Sequence, residues 1–211
     1  MSKVFLFGAS GKMGGEISAL IKKDKKLRLT DRLEKADVVI DFSNAEVFLD
    51  NLSVALKAKT PFVCGTTGLS EKQFKKLKLA SKKIPVLWAS NMSMGVNVLN
   101  QMLKSLTAIK DYDFYIEETH HIHKKDAPSG TALTIQKHLE RAIKKKTKKV
   151  LSFREGEVFG QHKVIVKGPE ETLLIQHDAL NRTVFAKGAI TCAKWILKKK
   201  PGYYSIEDVL K

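Results

Sequence analysis

Val4-Phe5-Leu6-Phe7-Gly8-Ala9-Ser10-Gly11-Lys12-Met13-Gly14-Gly15-Glu16 is the stretch from which the architecture is read. The unbroken apolar run Val4 to Phe7 has the pattern of a strand buried on both faces, and Gly8 ends it. From Glu16 to Lys23 the apolar residues Ile17, Leu20 and Ile21 fall at helical spacing. Strand, glycine turn and helix in that order form the dinucleotide-phosphate arrangement. One glycine makes the turn, one lets backbone approach the pyrophosphate and one lets helix pack on strand, with the phosphates at the helix N-terminus. The glycines here are Gly8, Gly11 and Gly14, with Ser10 in place of the usual second glycine. Asp31 ends the next strand, Leu27 to Thr30, close to the offset of about 20 residues at which an acid meets the adenosine ribose.

Beyond this unit the alternation continues. Val38 to Phe42 predicts a third strand, Ala45 to Lys57 a helix, Phe62 to Cys64 a strand running into Gly65-Thr66-Thr67, Glu71 to Lys82 a helix, and Val86 to Trp88 a strand running into Ala89-Ser90-Asn91-Met92. Strands alternating with helices specify a parallel sheet covered on both faces. The two turns after those strands lie at the carboxyl edge where ligands of such sheets bind. Between Asp31 and Val38 there are six residues. A parallel crossover needs a dozen or more, so the helix expected there is lost or replaced by a turn. An amphipathic helix over Asn97 to Ile109 follows, and then the pattern changes. Phe114 to Thr119 reads as a strand and Thr131 to Lys145 as a helix. Val150 to Phe153, Lys163 to Val166, Thr172 to His177 and Thr183 to Ala186 read as strands without helices between them. Ala189 to Lys199 is a last helix, stopped by Pro201-Gly202. The expected class is α/β, a parallel-sheet domain over 1–93 and 183–211 with an α+β domain over 94–182 carrying an open, antiparallel or mixed sheet.

The 211 residues are 43% apolar and 28% charged, a globular composition that excludes collagen-like and mucin-like chains. No window approaches the roughly 18 apolar residues of a membrane helix, and the N-terminal apolar run is too short for a signal peptide. Cys64 and Cys192 are too few for a disulfide framework or a Cys-based zinc site. A cytoplasmic location without a membrane partner is expected. The net charge of +16, from 38 Lys/Arg against 22 Asp/Glu, is what a nucleic-acid binder or an enzyme of anionic substrates shows. The lysines are spread in short runs such as Lys22-Lys23, Lys75-Lys76 and Lys198 to Lys200 on helical segments, which reads as a solvated coat. Stacking on nucleic acid needs aromatics among the cations, and Lys144 to Lys149 has none, so no nucleic-acid partner is expected.

Chemistry concentrates in Glu118-Thr119-His120-His121-Ile122-His123-Lys124-Lys125-Asp126-Ala127-Pro128-Ser129-Gly130-Thr131-Ala132. Ser129 is a good N-cap for the helix that follows, and the Gly130 and Thr131 amides at its positive end make a carboxylate site. His120, His121 and Lys124 crowd proton donors and cations beside it, a cluster suited to binding an anion and protonating it during reduction. His121-x-His123 is also a metal-ligand spacing with Asp126 as a third ligand. That carboxylate is misplaced for a His-x-His-x-Asp pattern and two lysines crowd the place, so no metal is expected. His138, His162 and His177 read as structural, although His162 ends the organised string Arg154 to His162. Arg32 and Lys12 are cations placed to meet a ribose 2′-phosphate, which leaves use of both NADH and NADPH open; the alternative is that both belong to the Lys-rich surface.

At these residues the sequence resembles the dihydrodipicolinate reductases (4-hydroxy-tetrahydrodipicolinate reductases) of bacterial lysine and diaminopimelate biosynthesis. The resemblance runs along nearly the whole chain, through Gly8 to Gly14, Val39 to Ser43, Gly65 to Gly68, Asn91 to Asn97, His120 to Ala132 and Arg182 to Ala189. It implies a Rossmann-like domain completed by the C-terminal helix, and a substrate domain whose sheet builds a homotetramer. It also implies reduction of a cyclic unsaturated dicarboxylate with NADH or NADPH. By position it implies that His120 is the proton donor/acceptor, that Lys124 is the second proton donor, and that His121 with Gly130 and Thr131 holds substrate carboxylate. Cofactor contacts fall to Gly8, Ala9, Ser10, Gly11, Lys12, Met13, Asp31, Gly65, Thr66, Thr67, Ala89, Ser90, Asn91 and Met92. Two departures stand out: the short segment after Asp31, as in compact members, and Met92 where an aromatic is frequent. The other readings are an oxidoreductase of a different imino or amino dicarboxylate and a basic nucleic-acid-binding or cofactor-sensing protein.

Overall fold

The computed structural model describes residues 1–211 and divides into two compact units, Met1–Met94 with Thr183–Lys211, and Gly95–Arg182. The first begins with β1 (Ser2–Phe7), α1 (Lys12–Lys22) and β2 (Leu27–Leu29), and a 3-10 turn, Leu33–Lys35, stands where the crossover helix is missing. β3 (Val38–Asp41), α2 (Phe48–Lys57), β4 (Phe62–Cys64), α3 (Glu71–Ala80) and β5 (Pro85–Trp88) follow. The chain then runs through α4 (Met94–Met102) into a 3-10 segment, Leu103–Ile109, so the single helix expected over 97–109 is divided. The second unit contains β6 (Asp113–His120), α5 (Gly130–Ile143), β7 (Leu151–Arg154), β8 (Gln161–Lys167) and β9 (Thr172–Asp178). α6 (Thr183–Ile196), β10 (Gly202–Tyr204) and α7 (Ile206–Val209) belong to the first unit.

The first unit holds a six-stranded sheet in the order β10-β5-β4-β3-β1-β2, with every pairing parallel. Side-chain alternation splits each strand between two cores. Val38 and Ile40 of β3 pack with Val4, Ile17, Ile21, Ala186, Ala189 and Ile196 on the face covered by α1 and α6. Val39 packs with Phe48, Leu52, Phe62 and Leu77 on the face covered by α2 and α3. The strand order reverses at β1, and the crevice at that reversal is where an open parallel sheet takes its ligands.

Two readings of the C-terminal stretch are corrected. Thr183 to Ala186 is the first turn of α6 and not a strand. Thr183-Val184-Phe185 has strand-type composition, but β propensity spans only about 1 kcal/mol. Ala186, Ala189, Ile190, Ala193 and Ile196 form a buried helical stripe, and each large apolar side chain buried contributes roughly 1.5–3 kcal/mol, so packing wins. Gly202 to Tyr204, read only as a helix stop, is an edge strand in register with Pro85 to Leu87 of β5.

The second unit is built on a mixed sheet in the order β7-β6-β8-β9, with β6–β7 parallel and the other pairs antiparallel. On β6 the alternation turns Phe114, Ile116, Glu118 and His120 inward. The first two join Ile135, Leu139, Val164 and Val166 in a core beneath α5. Two polar side chains thus continue an apolar face, and the candidate site is built on them.

Candidate active site

In the first unit the glycine turn joins β1 to α1. Gly8 has φ +78°, and a Cβ there would stand 2.5 Å from the Phe42 carbonyl oxygen, so only glycine fits. Gly11 is the N-cap of α1, with no side chain capping it and no acid in the first turn. The exposed Ser10 and Lys12 flank this positive helix end, and Met13 packs against the core. A groove of about 690 Å³ runs beside the turn, lined by Ala9, Thr30, Asp31, Arg32, Lys3, Arg28 and Lys35 among others. It brings the predicted ribose acid and cation together. Arg32 Nε donates to Glu34 at 2.7 Å in an exposed pair.

The carboxyl ends of β3, β4 and β5 complete this edge. Asp41 is fully buried; its Oδ1 accepts from the Ser43 N–H (2.9 Å) and hydroxyl (2.5 Å), and its Oδ2 is buried without a partner. The Gly65 N–H donates to the Asp41 carbonyl (2.9 Å), and the buried Thr66 takes the Trp88 indole N–H on its carbonyl (3.1 Å), leaving Thr67 exposed. The Ala89 N–H donates to the Cys64 carbonyl at 3.1 Å. Ser90 and Asn91 are half-buried, and Asn91 Oδ1 accepts from the Ser93 N–H at 2.8 Å. Met92, by contrast, is 2% exposed and has its side chain in the core. An uncapped helix end, a groove with an acid and cations, and an orphaned buried carboxylate oxygen fit a dinucleotide at this edge.

In the second unit the sheet register assembles the polar site. Glu118 is opposite His162 across β6 and β8, and His120 is opposite Arg154 across β6 and β7. The His120 ring Nδ1 is hydrogen-bonded to Glu118 Oε2. Glu118 Oε1 accepts from Arg154 Nη2 (3.0 Å) and from the Ser129 N–H (3.3 Å). The Ser129 hydroxyl oxygen accepts from the Ala132 N–H at 3.2 Å, the expected N-cap, and sits 3.2 Å from His162 Nε2. Gly130 and Thr131 open the positive end of α5 directly after this cap. His121 follows directly, with its Nδ1 buried and unpartnered. Lys124 Nζ pairs with Asp126 at 2.7 Å.

Burial would push the Glu118 carboxyl up, but the hydrogen bond from Arg154 and the neighbouring His120 outweigh it and hold it below the usual carboxylate range. Burial pushes His120 down from the ordinary imidazole value, aided by Lys124 and Arg154 and only partly offset by Glu118. His162 is pushed down to about 3, first by burial and then by His120. At neutral pH the site therefore holds an ionised carboxylate and two neutral imidazoles. An ionised carboxylate only accepts, so His120 carries its proton on Nδ1 and keeps a lone pair on Nε2.

The spacing His121-x-His123 with Asp126 assembles nothing: His123 lies 3.6 Å from Glu157, and Asp126 is spent on Lys124. The ligand-type atoms that do cluster, within 4.8 Å of one another, are those of Glu118, His120 and His162. The Arg154 cation already occupies Glu118, so this set is a hydrogen-bonded pair beside a guanidinium. Glu118, Arg154 and His162 are the residues that reading the sequence missed as site members. One signal was present: Glu118 and His120 sit on the alternation that makes Phe114 and Ile116 core residues. A carboxylate and an imidazole on an apolar face need a reason.

The family description "Dihydrodipicolinate reductase, N-terminus" matches residues 28–92, and "Dihydrodipicolinate reductase, C-terminus" matches residues 95–210. A 4-hydroxy-tetrahydrodipicolinate reductase of Bdellovibrio bacteriovorus is 49% identical over 99% of this chain and 96% of its own length. The enzyme of the same name from Caldanaerobacter subterraneus is 36% identical over 100% and 99%. Among solved structures, a dipicolinate-bound dihydrodipicolinate reductase from Paenisporosarcina sp. TG-14 shares the fold with a TM-score of 0.82 at 19% identity, covering 99% of each chain. The chain belongs to the dihydrodipicolinate reductase family of oxidoreductases.

Proposed function

We propose that the protein reduces 4-hydroxy-tetrahydrodipicolinate (dihydrodipicolinate) to tetrahydrodipicolinate in lysine and diaminopimelate biosynthesis. The observation that carries this reading is the hydrogen-bonded Glu118–His120 pair with Lys124 beside it and with the N-cap of α5 at Ser129 bonded to the same Glu118, which sets a proton source next to a positive helix end. His121 and the Gly130 and Thr131 amides hold a substrate carboxylate. Lys124 delivers a proton from its ammonium group. His120, neutral and fixed on Nδ1, takes up and passes protons at Nε2.

The first domain, 1–93 with 183–211, binds the nucleotide, and 94–182 binds substrate and builds the oligomer. Gly8 to Met13 take the diphosphate on backbone N–H groups, Asp31 accepts from the adenosine ribose, and Gly65 to Thr67 with Ala89 to Asn91 hold the carboxamide end. Met92 contributes its backbone, since its side chain is in the core. When bound, NADH or NADPH would supply a hydride to the ring carbon conjugated with the imine; one proton completes the reduction, and the 4-hydroxyl of the substrate leaves as water. Arg32 can leave Glu34 for a 2′-phosphate at little cost, because an exposed ion pair is worth roughly 0–1 kcal/mol. A homotetramer is supported by Leu151, Phe153 and Leu174, 48–53% exposed on the sheet face away from the core. The location proposed is cytoplasmic.

Steady-state kinetics with freshly generated product of dihydrodipicolinate synthase, NADH and NADPH in parallel, test the reading. Substrate-dependent loss of 340 nm absorbance is expected with at least one nucleotide. Its absence with both overturns the assignment.

A further inference from the structure

We infer that the buried Glu118 and the partly exposed Arg154 form a brace that holds His120 in a single tautomer and ties the Lys124 segment to it, so that both are positioning residues of the proton-transfer site. The inference rests on the roles proposed above for His120 and Lys124.

Glu118 is the hub. Its side chain is 0% exposed, and its two oxygens meet three donors: His120 Nδ1–H, Arg154 Nη2–H and the Ser129 N–H. The tautomer of an imidazole is set by the hydrogen bond its other nitrogen makes. Commitment of Nδ1–H to Glu118 leaves the lone pair on Nε2, where Gly160 clears the space: a Cβ at Gly160 would lie 3.0 Å from that nitrogen.

Arg154 makes the second connection. Its Nε–H donates to the Lys124 carbonyl at 3.2 Å, its Nη2–H donates to the Asp126 carbonyl as well as to Glu118, and its Nη1–H donates to the Phe153 carbonyl at 2.6 Å. Asp126 in turn holds the Lys124 ammonium. One planar guanidinium thus spans from the carboxylate that orients His120 to the two peptide groups that carry Lys124 and its partner. A lysine has no fork with which to do this. An ion pair with one partner fully buried is a poor device for stability, since apolar residues of the same shape serve as well. Fixing the geometry of two reactive groups is a use that such residues would not provide.

The groups that face His120 are Glu118 on its own strand, Arg154 on β7, His162 on β8 and Lys124 in the segment after β6. Glu118 is the one that attracts the ring proton, so its loss moves the titration of His120 toward acid.

The test uses the intact protein with Glu118→Gln, which keeps shape and removes charge, and Arg154→Lys, which keeps charge and removes the fork. Long-range 15N–1H correlation of the His120 ring is expected to show the Nδ1–H tautomer in the unmodified protein and in Arg154→Lys, and Nε2–H or a mixture in Glu118→Gln. With 4-hydroxy-tetrahydrodipicolinate, kcat is expected to fall roughly 10²-fold or more in Glu118→Gln and roughly tenfold to a hundredfold in Arg154→Lys. NADPH affinity should stay within twofold, and the acidic limb of the Glu118→Gln pH profile should move lower. An unchanged tautomer together with an unchanged kcat in Glu118→Gln overturns the brace, as does a wild-type kcat in Arg154→Lys if Glu118→Gln does not fold. The ring tautomer is read without substrate, so failure of the brace is distinguishable from failure of the proposed reaction.

Discussion

Glu118 on β6 and His162 on β8 are antiparallel register partners inside the second unit, one an ionised carboxylate and the other a neutral imidazole pushed down to about 3 by burial and by His120. Both are 1–2% exposed, so neither can change its protonation state without cost to the fold.

That relationship predicts the acid response. Between an ordinary imidazole value of 6.5 and about 3, the unfolded chain binds a proton that folded His162 refuses. Stability therefore declines as pH falls below 6.5, by about 3 kcal/mol at pH 4.5 from this group. Glu118 acts in the same direction: its carboxyl is held low, so its contribution is present above the usual carboxylate range and is lost as pH falls through the folded value. Urea unfolding at pH 7.5 and pH 4.5 should show a loss smaller by roughly 2–3 kcal/mol in His162→Asn than in the unmodified protein. An equal loss in both would contradict this account of His162.

His120→Gln and Lys124→Ala are expected to lower kcat by roughly 10²–10⁴-fold each while leaving the dissociation constant of NADPH within twofold. Because burial holds His120 below its ordinary value, kcat/KM of the unmodified protein should be level near pH 7 and fall only below pH 6.5. Full turnover in both variants would remove these residues from the chemistry.

Gly160→Ala places a methyl group 3.0 Å from His120 Nε2 and 3.4 Å from Cδ2, closer than carbon and a ring atom normally rest. The ring must shift or have its Nε2 lone pair blocked, and kcat should drop roughly tenfold to a hundredfold. NADPH binding, measured by fluorescence titration, should be unaffected.

Arg32→Ala reports on the nucleotide. If Arg32 exchanges Glu34 for a 2′-phosphate, KM for NADPH should rise roughly tenfold or more, the value of one charge-assisted hydrogen bond. KM for NADH should stay within twofold. Equal effects on both nucleotides would place Arg32 outside the phosphate contact.

Much of the first unit was legible because its signals are local. The apolar run Val4 to Phe7, the glycines at 8, 11 and 14 and the helical spacing of Ile17, Leu20 and Ile21 each act over a few residues, and the structure places β1, the turn and α1 there. Ser129 as the cap of α5 is equally local. Thr183 to Ala186 was misread because its composition favours a strand, while the stripe that makes it a helix appears only when Ala186 is read together with Ala189, Ala193 and Ile196. β10 was missed because three residues carry no period; its pairing to β5 comes from far away in the chain.

The alternation of the first unit, the phosphate turn and the histidine block with its helix cap are written in the order of the residues alone, because propensity, periodicity and capping act between near neighbours. The gathering of Glu118, Arg154 and His162 around His120 comes from the folded sheet. Those residues lie up to 44 positions apart, and strand register, set by the packing of a whole sheet beneath α5, is what brings them within hydrogen-bonding reach.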